Sequence, residues 1–284
     1  MNHVLSAVRI GLGRGWTEFR HMLSTPVEHM FNVFVAVIIL TVLYFQRDNA
    51  VGGTDLPLAT LVLPGVVGML VAYNSTIGAA FVIAFEREDG TLLRAKAAPF
   101  GMVGYLAGLV LRVPLHTVVS LLWVLVPGLF LFDGLASAGV GGWLTLLWVL
   151  ALGLVATVPA GMVFGALARN PRVVAQTVGL GSAGLIAISG IFYPIAALPG
   201  WLHPIGQVFP FYWLGLGMRS ALLPDAAAAV ELSGSWQHLE TVAVLGAWAV
   251  VGLVLAPMVL RRMARRESGA SVEAGRQQAT QRIG

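Results

Sequence analysis

Apolar residues gather in six long stretches, near residues 27–45, 57–85, 101–131, 143–168, 173–192 and 239–260. A helix crosses the roughly 30 Å of bilayer hydrocarbon in about 20 residues, and each stretch is about that long or longer. Proline opens or interrupts several of them, at Pro26, Pro57, Pro64, Pro99 and Pro171. It suits a first helical turn, where its missing N–H costs nothing. The second and third stretches exceed one span, so each is predicted to tilt or break. Pro64 and Pro114 are the expected break points, with an interfacial piece over 101–112. The predicted fold is all-α and integral to a membrane, with six transmembrane helices.

Two further segments carry a pattern. Residues 4–23, wound at about 100° per residue, place Leu5, Val8, Leu12, Trp16, Phe19 and Leu23 on one face and Arg9, Gly13, Thr17, Arg20 and His21 on the other. That predicts an amphipathic N-terminal helix lying in the cytoplasmic headgroup layer. Residues 193–223 are apolar and aromatic, yet Pro194, Pro199, Pro204 and Pro210 recur every five or six positions. No continuous helix survives that spacing. Short re-entrant outer helices between spans five and six are predicted, tolerated only where protein or a water-filled cavity covers their backbone. Tyr193, Trp201, Tyr212 and Trp213 read as an interfacial aromatic belt.

Composition agrees with the pattern. The chain is 57% apolar and 11% charged, far from the roughly 25% charge of soluble domains. Charge then sets orientation. With the N-terminus in the cytoplasm, the inside segments hold fourteen of the seventeen basic residues, leaving Arg47, Arg112 and Arg219. Both termini are therefore expected inside. The basic balance reads as topology and not as nucleic-acid binding. The first 25 residues lack the compact apolar core of a cleavable signal. A single domain over 1–260 is expected, followed by a basic tail, 261–284, whose last 15 or so residues are expected to be disordered.

Missing chemistry narrows the function. There is no cysteine, which excludes disulfides and thiol chemistry. The only lysine, Lys96, follows no glycine-rich loop, so the chain has no Walker A site for ATP. The six histidines share no metal-ligand spacing, and no metal or other cofactor is expected on this chain. No span carries a carboxylate near its middle, which argues against ion coupling. An external energy source is the better expectation.

The segment between spans two and three reads FEREDGTLLRAKAAPF, residues 85–100. Glu86, Arg87, Glu88, Asp89 and Gly90 close span two, and a short helix over Thr91–Ala98 ends at Pro99. Such a charged run is either a docking surface for a soluble partner or a solvated turn that fixes topology. Asn74, Ser75 and Thr76 form a polar cluster in span two, and Gln176, Thr177 and Ser182 another in span five. Each side chain either bonds across helices or lines a path. Arg112 is expected to snorkel inward or to pair with the carboxylates at 86–89. Gly11, Gly13 and Gly15 follow no strand, so a dinucleotide reading fails. Gly179, Gly181 and Gly184 are expected to let span five pack closely on a neighbour.

Three motifs now stand in order: E-R-E-D-G-T-L after span two, S-G-I-F-Y-P at Ser189 to Pro194 followed by Leu198-Pro199, and Pro210 with Arg219 nine positions on. In this the chain resembles the permease subunits of ABC-2 type transporters, the daunorubicin-resistance and polysaccharide-export class. The resemblance implies two paired permeases, either two copies or this chain with a related one, and a separate ABC ATPase subunit that carries the ATP and Mg. It implies export of a hydrophobic drug, lipid or lipid-linked glycan. It makes Glu86, Arg87, Glu88, Asp89, Gly90 and Arg94 the ATPase-coupling element. Asn74, Ser75, Thr76, Gln176, Thr177 and Ser182 become the translocation path. Phe192, Tyr193, Pro194, Pro199 and Arg219 become the outer gate. The competing readings are an ion-coupled secondary transporter and a non-transporting scaffold.

Overall fold

The computed structural model describes residues 2–50, 56–132, 134–135, 138–168 and 170–266. Arg169, Arg276, Arg282 and the tail beyond residue 266 lie outside the described residues. Among the described residues eleven α-helices follow one another: α1 Asn2–Leu23, α2 Pro26–Phe45, α3 Leu58–Glu88, α4 Thr91–Ala97, α5 Gly101–Leu131, α6 Val140–Leu167, α7 Pro171–Val174, α8 Leu180–Ile188, α9 Leu202–Val208, α10 Pro210–Leu222 and α11 His238–Arg266. A π-turn over Ala175–Gly179 joins α7 to α8. Six helical segments are long and apolar enough to cross a membrane: α2, α3, α5, α6, the α7–π–α8 unit and α11. This is the predicted all-α membrane fold. The chain is a multi-pass membrane protein.

The two long spans do not break. Pro64 stays inside α3, and Pro114 and Pro127 stay inside α5, each helix running 31 residues. One proline removes one ladder hydrogen bond, and close packing by neighbouring helices holds the turn together.

The centre of the bundle is α3, α6 and α10. Helix α10 is 13 residues, about 20 Å at the usual rise, too short to span. Its side chains from Pro210 to Arg219 are nonetheless buried, wedged against α3 and α6. Glycines permit the approach. A Cβ on Gly68 of α3 would lie 2.5 Å from the Leu214 carbonyl of α10. The predicted aromatic belt is therefore corrected in part. Trp201 is exposed, whereas Tyr212 and Trp213 are core residues. The Tyr212 hydroxyl donates to Gln237 at 3.4 Å and the Trp213 indole to the Gln207 carbonyl at 2.5 Å.

Helix α1 is amphipathic as predicted, with Leu5, Leu12, Trp16 and Leu23 exposed on an apolar face. Its inner edge is the glycine run. A Cβ on Gly11 would lie 1.9 Å from the Gly104 carbonyl of α5, and one on Gly15 would lie 2.5 Å from the Gly108 carbonyl. The close small-residue seam is thus α1 on α5. In span five, by contrast, a Cβ on Gly181 or Gly184 would meet nothing within 4 Å among the described residues, and one on Gly179 would lie 3.5 Å from Ile77. The seam makes a test with opposite signs. In a helix, Gly→Ala ordinarily gains up to about 1 kcal/mol. Gly13→Ala, where nothing stands within 4 Å, is expected to raise the melting temperature. Gly11→Ala is expected to lower it, at a net cost of about 2 kcal/mol from forced separation of two backbones.

Candidate functional site

Four polar features mark the molecule from one end of the bundle to the other. The first is an ion network where α1, α3 and α5 meet. Arg14 Nε donates to Glu18 Oε1 at 2.6 Å, one helical turn on. Arg14 Nη2 also reaches Glu86 Oε1 at 3.3 Å. Arg112 completes the square, giving Nη1 to Glu18 Oε2 and Nη2 to Glu86 Oε1 at 3.0 Å. Burial pulls the Arg14 guanidinium down, but the hydrogen bond to Glu18 and the charges of Glu18 and Glu86 outweigh it and hold Arg14 above the ordinary arginine value. Two cations and two carboxylates balance. Even so, Glu86 Oε2, Arg112 Nε and the Tyr105 hydroxyl are buried, and among the described residues no partner stands in good hydrogen-bond geometry to them. Of the two expectations for Arg112, pairing with Glu86 is the one observed.

The second feature is the turn after α3. Gly90 takes φ +78°, a left-handed conformation that favours glycine, and Asp89 Oδ1 accepts from the Thr91 N–H at 2.7 Å. Together they reverse the chain into α4, which buried Leu92 anchors. The six residues predicted for coupling divide here. Glu86 faces inward. Arg87 donates to the Ala168 carbonyl at 2.8 Å and braces the end of α6. Glu88 is half-buried, Gly90 is buried, and Asp89 and Arg94 are exposed. Arg94 Nη2 donates to Thr91 Oγ1 at 2.8 Å. The outward surface is therefore Asp89 and the exposed side of α4.

The third feature is a cavity of about 380 Å³ between α3, α6, the π-turn, α8, α10 and α11. Thr76, Thr157, Thr177 and Ser182 supply hydroxyls, and Phe164, Phe209, Phe211 and Trp248 supply aromatic surface. Among the described residues no charged side chain lines it. Thr177 Oγ1 donates to the Val173 carbonyl at 2.7 Å and Thr157 Oγ1 to the Gly153 carbonyl at 2.6 Å. Ser75 is fully buried one position from the cavity, its hydroxyl 2.5 Å from that of Thr157, tying α3 to α6. Of the six residues predicted for the path, Thr76, Thr177 and Ser182 meet in this cavity. Asn74, half-buried, and Gln176, exposed, do not line it.

The fourth feature, at the end predicted to face outward, is a buried ion pair. Arg219 of α10 gives Nε to Glu231 Oε1 at 2.6 Å, Nη2 to Glu231 Oε2 at 3.3 Å and Nη1 to the Gly190 carbonyl at 3.2 Å. Its side chain and that of Glu231 are 2% and 3% exposed. The Tyr193 hydroxyl donates to the Ala187 carbonyl, Pro194 precedes a 3-10 turn over Ile195–Ala197, and Phe192 and Pro199 are exposed. Sequence reading missed Glu18, Thr157, Glu231 and the aromatic wall. Glu18 had a signal, standing four positions after Arg14 on one helix face. Glu231 had none.

No curated protein matches the chain. The family model described as ABC-2 type transporter matches residues 7–223, a range that holds the ion network, the α3–α4 turn, Arg219 and all of the cavity except Trp248. The chain belongs to the ABC-2 type transporter family, as a membrane-spanning permease component.

Proposed function

We propose that this permease is the membrane half of an ATP-driven exporter in the cell membrane, with both termini cytoplasmic. It pairs with a second copy or a related permease. A separate ABC ATPase, seated against Asp89 and α4, binds ATP and Mg and supplies the energy. The cargo is a hydrophobic drug, a lipid or a lipid-linked glycan. The observation that carries this reading is the uncharged, aromatic cavity walled by spans two, four, five and six. Burying an isolated charge there would be expensive, and the cavity's size falls in the range of pockets that enclose a drug-sized apolar body. The α3–α4 turn supports the partnership: it is a rigid reversal with an exposed charged edge, joined through α3 to the cavity wall at Thr76.

The test uses the chain co-expressed with its ATPase in inside-out vesicles. ATP-dependent uptake of a lipophilic fluorescent compound is expected. Ser182→Trp fills the cavity and is expected to abolish uptake while the ATPase still co-purifies. The pair Asp89→Ala and Arg94→Ala is expected to release the ATPase. Uptake that follows a proton gradient without ATP would overturn the reading, as would a chain that purifies alone under several gentle detergents.

A further inference from the structure

A second cavity, about 490 Å³, opens on the other side of α3, between the elbow of α1 and α2 and the middle of α5. Its walls include Phe19 and Met22 of α1, Phe81 and Val82 of α3, and Val113 of α5. Its polar lining is unlike that of the first cavity. Glu18, His21, Glu28, Arg112 and His116 all face it.

The charge balance of that lining singles out one group. Glu18 is neutralised by Arg14 and Arg112, and Arg112 is in turn shared with Glu86. Among the described residues Glu28, in the first turn of α2, pairs with no arginine or lysine; its contact is His116 Nε2 at 3.6 Å, too long for a strong hydrogen bond. The cavity therefore presents one partly exposed carboxylate without an arginine partner, on a lining that also carries His21, His116, Phe19 and Phe81. The elbow places Glu28 at the start of a membrane span, where headgroups give way to hydrocarbon. An ammonium group held there can lay its apolar body along Phe19, Phe81 and Val113.

We infer that this cavity is a binding site for an amphipathic organic cation in the cytoplasmic leaflet, with Glu28 as its counter-ion. The cation is a free organic cation or the amine of a lipid headgroup; both present the same ammonium chemistry. The site is separate from the uncharged cavity, and its occupancy needs no ATP.

The probe is tetraphenylphosphonium, with tetraphenylborate as an anion of nearly the same shape. Equilibrium binding to the full chain in nanodiscs is expected to be saturable and poorly displaced by tetraphenylborate. Glu28→Gln is expected to weaken it about two- to fivefold, the range of one partly exposed ion pair, and Glu28→Asp to keep most of it. Gly78→Phe fills the cavity from a position where an added Cβ meets nothing within 4 Å, and is expected to abolish the site in a protein that still elutes as a single species. With the phosphatidylglycerol fraction held constant, weaker binding when the remaining lipid is phosphatidylethanolamine than when it is an uncharged glycolipid would identify a lipid amine as the occupant; equal binding would identify a free cation. Equal affinity for the two ions, or binding indifferent to both Glu28→Gln and Gly78→Phe, would overturn the inference.

Discussion

Arg219→Ala is expected to be the most damaging single substitution in the outer half of the protein, costing about 3–5 kcal/mol. The side chain is buried and uses three of its donors, two on Glu231 and one on the Gly190 carbonyl. Those bonds join α10, the outer loop at 224–238 and the turn that ends span five. Alanine would leave Glu231 ionised, desolvated and alone, which is where breaking a buried pair is most costly. Against a total stability of about 5–15 kcal/mol, the outer end would loosen or the protein would fail to assemble. The charge argument makes a sharper expectation. Arg219→Met combined with Glu231→Gln removes both charges and is expected to recover much of the loss. Arg219→Lys is expected to fall between, because a point charge cannot reproduce a two-pronged contact and still reach Gly190. Thermal unfolding in detergent would rank the four proteins. If the single Arg219→Ala protein melted no lower than the double variant, the pair would not be holding the outer end together.

The spans were legible because a long apolar run has one physical solution in a bilayer. What covers a span was not legible. Tyr212 and Trp213 suit a lipid interface and suit the core equally well, since each has an apolar body and one donor. Only their carbonyl and amide partners at Gln207 and Gln237 decide between the two. The path residues show a different limit. Thr177 and Ser182 reach one cavity because the π-turn at Ala175–Gly179 inserts extra backbone between them and shifts the phase of span five. A helical wheel carries no warning of that shift, and Gln176 turns outward with it. Glu86 was read correctly as the end of span two, but its neighbours in sequence gave no sign that it looks inward while Asp89 looks out. The partner that turns it inward, Arg112, is 26 positions away.

Arg112→Met is expected to be the second most damaging change, and its effect should appear in α1. Arg112 reaches from α5 to both Glu18 of α1 and Glu86 of α3, the same two carboxylates that Arg14 bonds from α1. Without it Glu86 keeps only Arg14 at 3.3 Å, on a side chain 12% exposed. The loss is expected near 2 kcal/mol, smaller than at Arg219 because Arg112 is 21% exposed and Arg14 remains. Adding Glu86→Gln removes the stranded charge and is expected to restore part of that stability without restoring the link to α1. The two readouts therefore separate. Because the chain has no cysteine, a lone cysteine at Gly15, Gly15→Cys, would spoil the seam, so the reporter belongs at Phe19, buried beside the network. Phe19→Cys labelling by a water-soluble maleimide is expected to be slow with Arg112 present and fast in both Arg112→Met backgrounds. Labelling that stays slow after Arg112→Met would mean that the glycine seam alone holds α1 in place. Fast labelling would mean that the four charges fasten α1 to the end of α3 next to the α3–α4 turn. A push on that turn would then reach α1 and the cavity wall through the same helix.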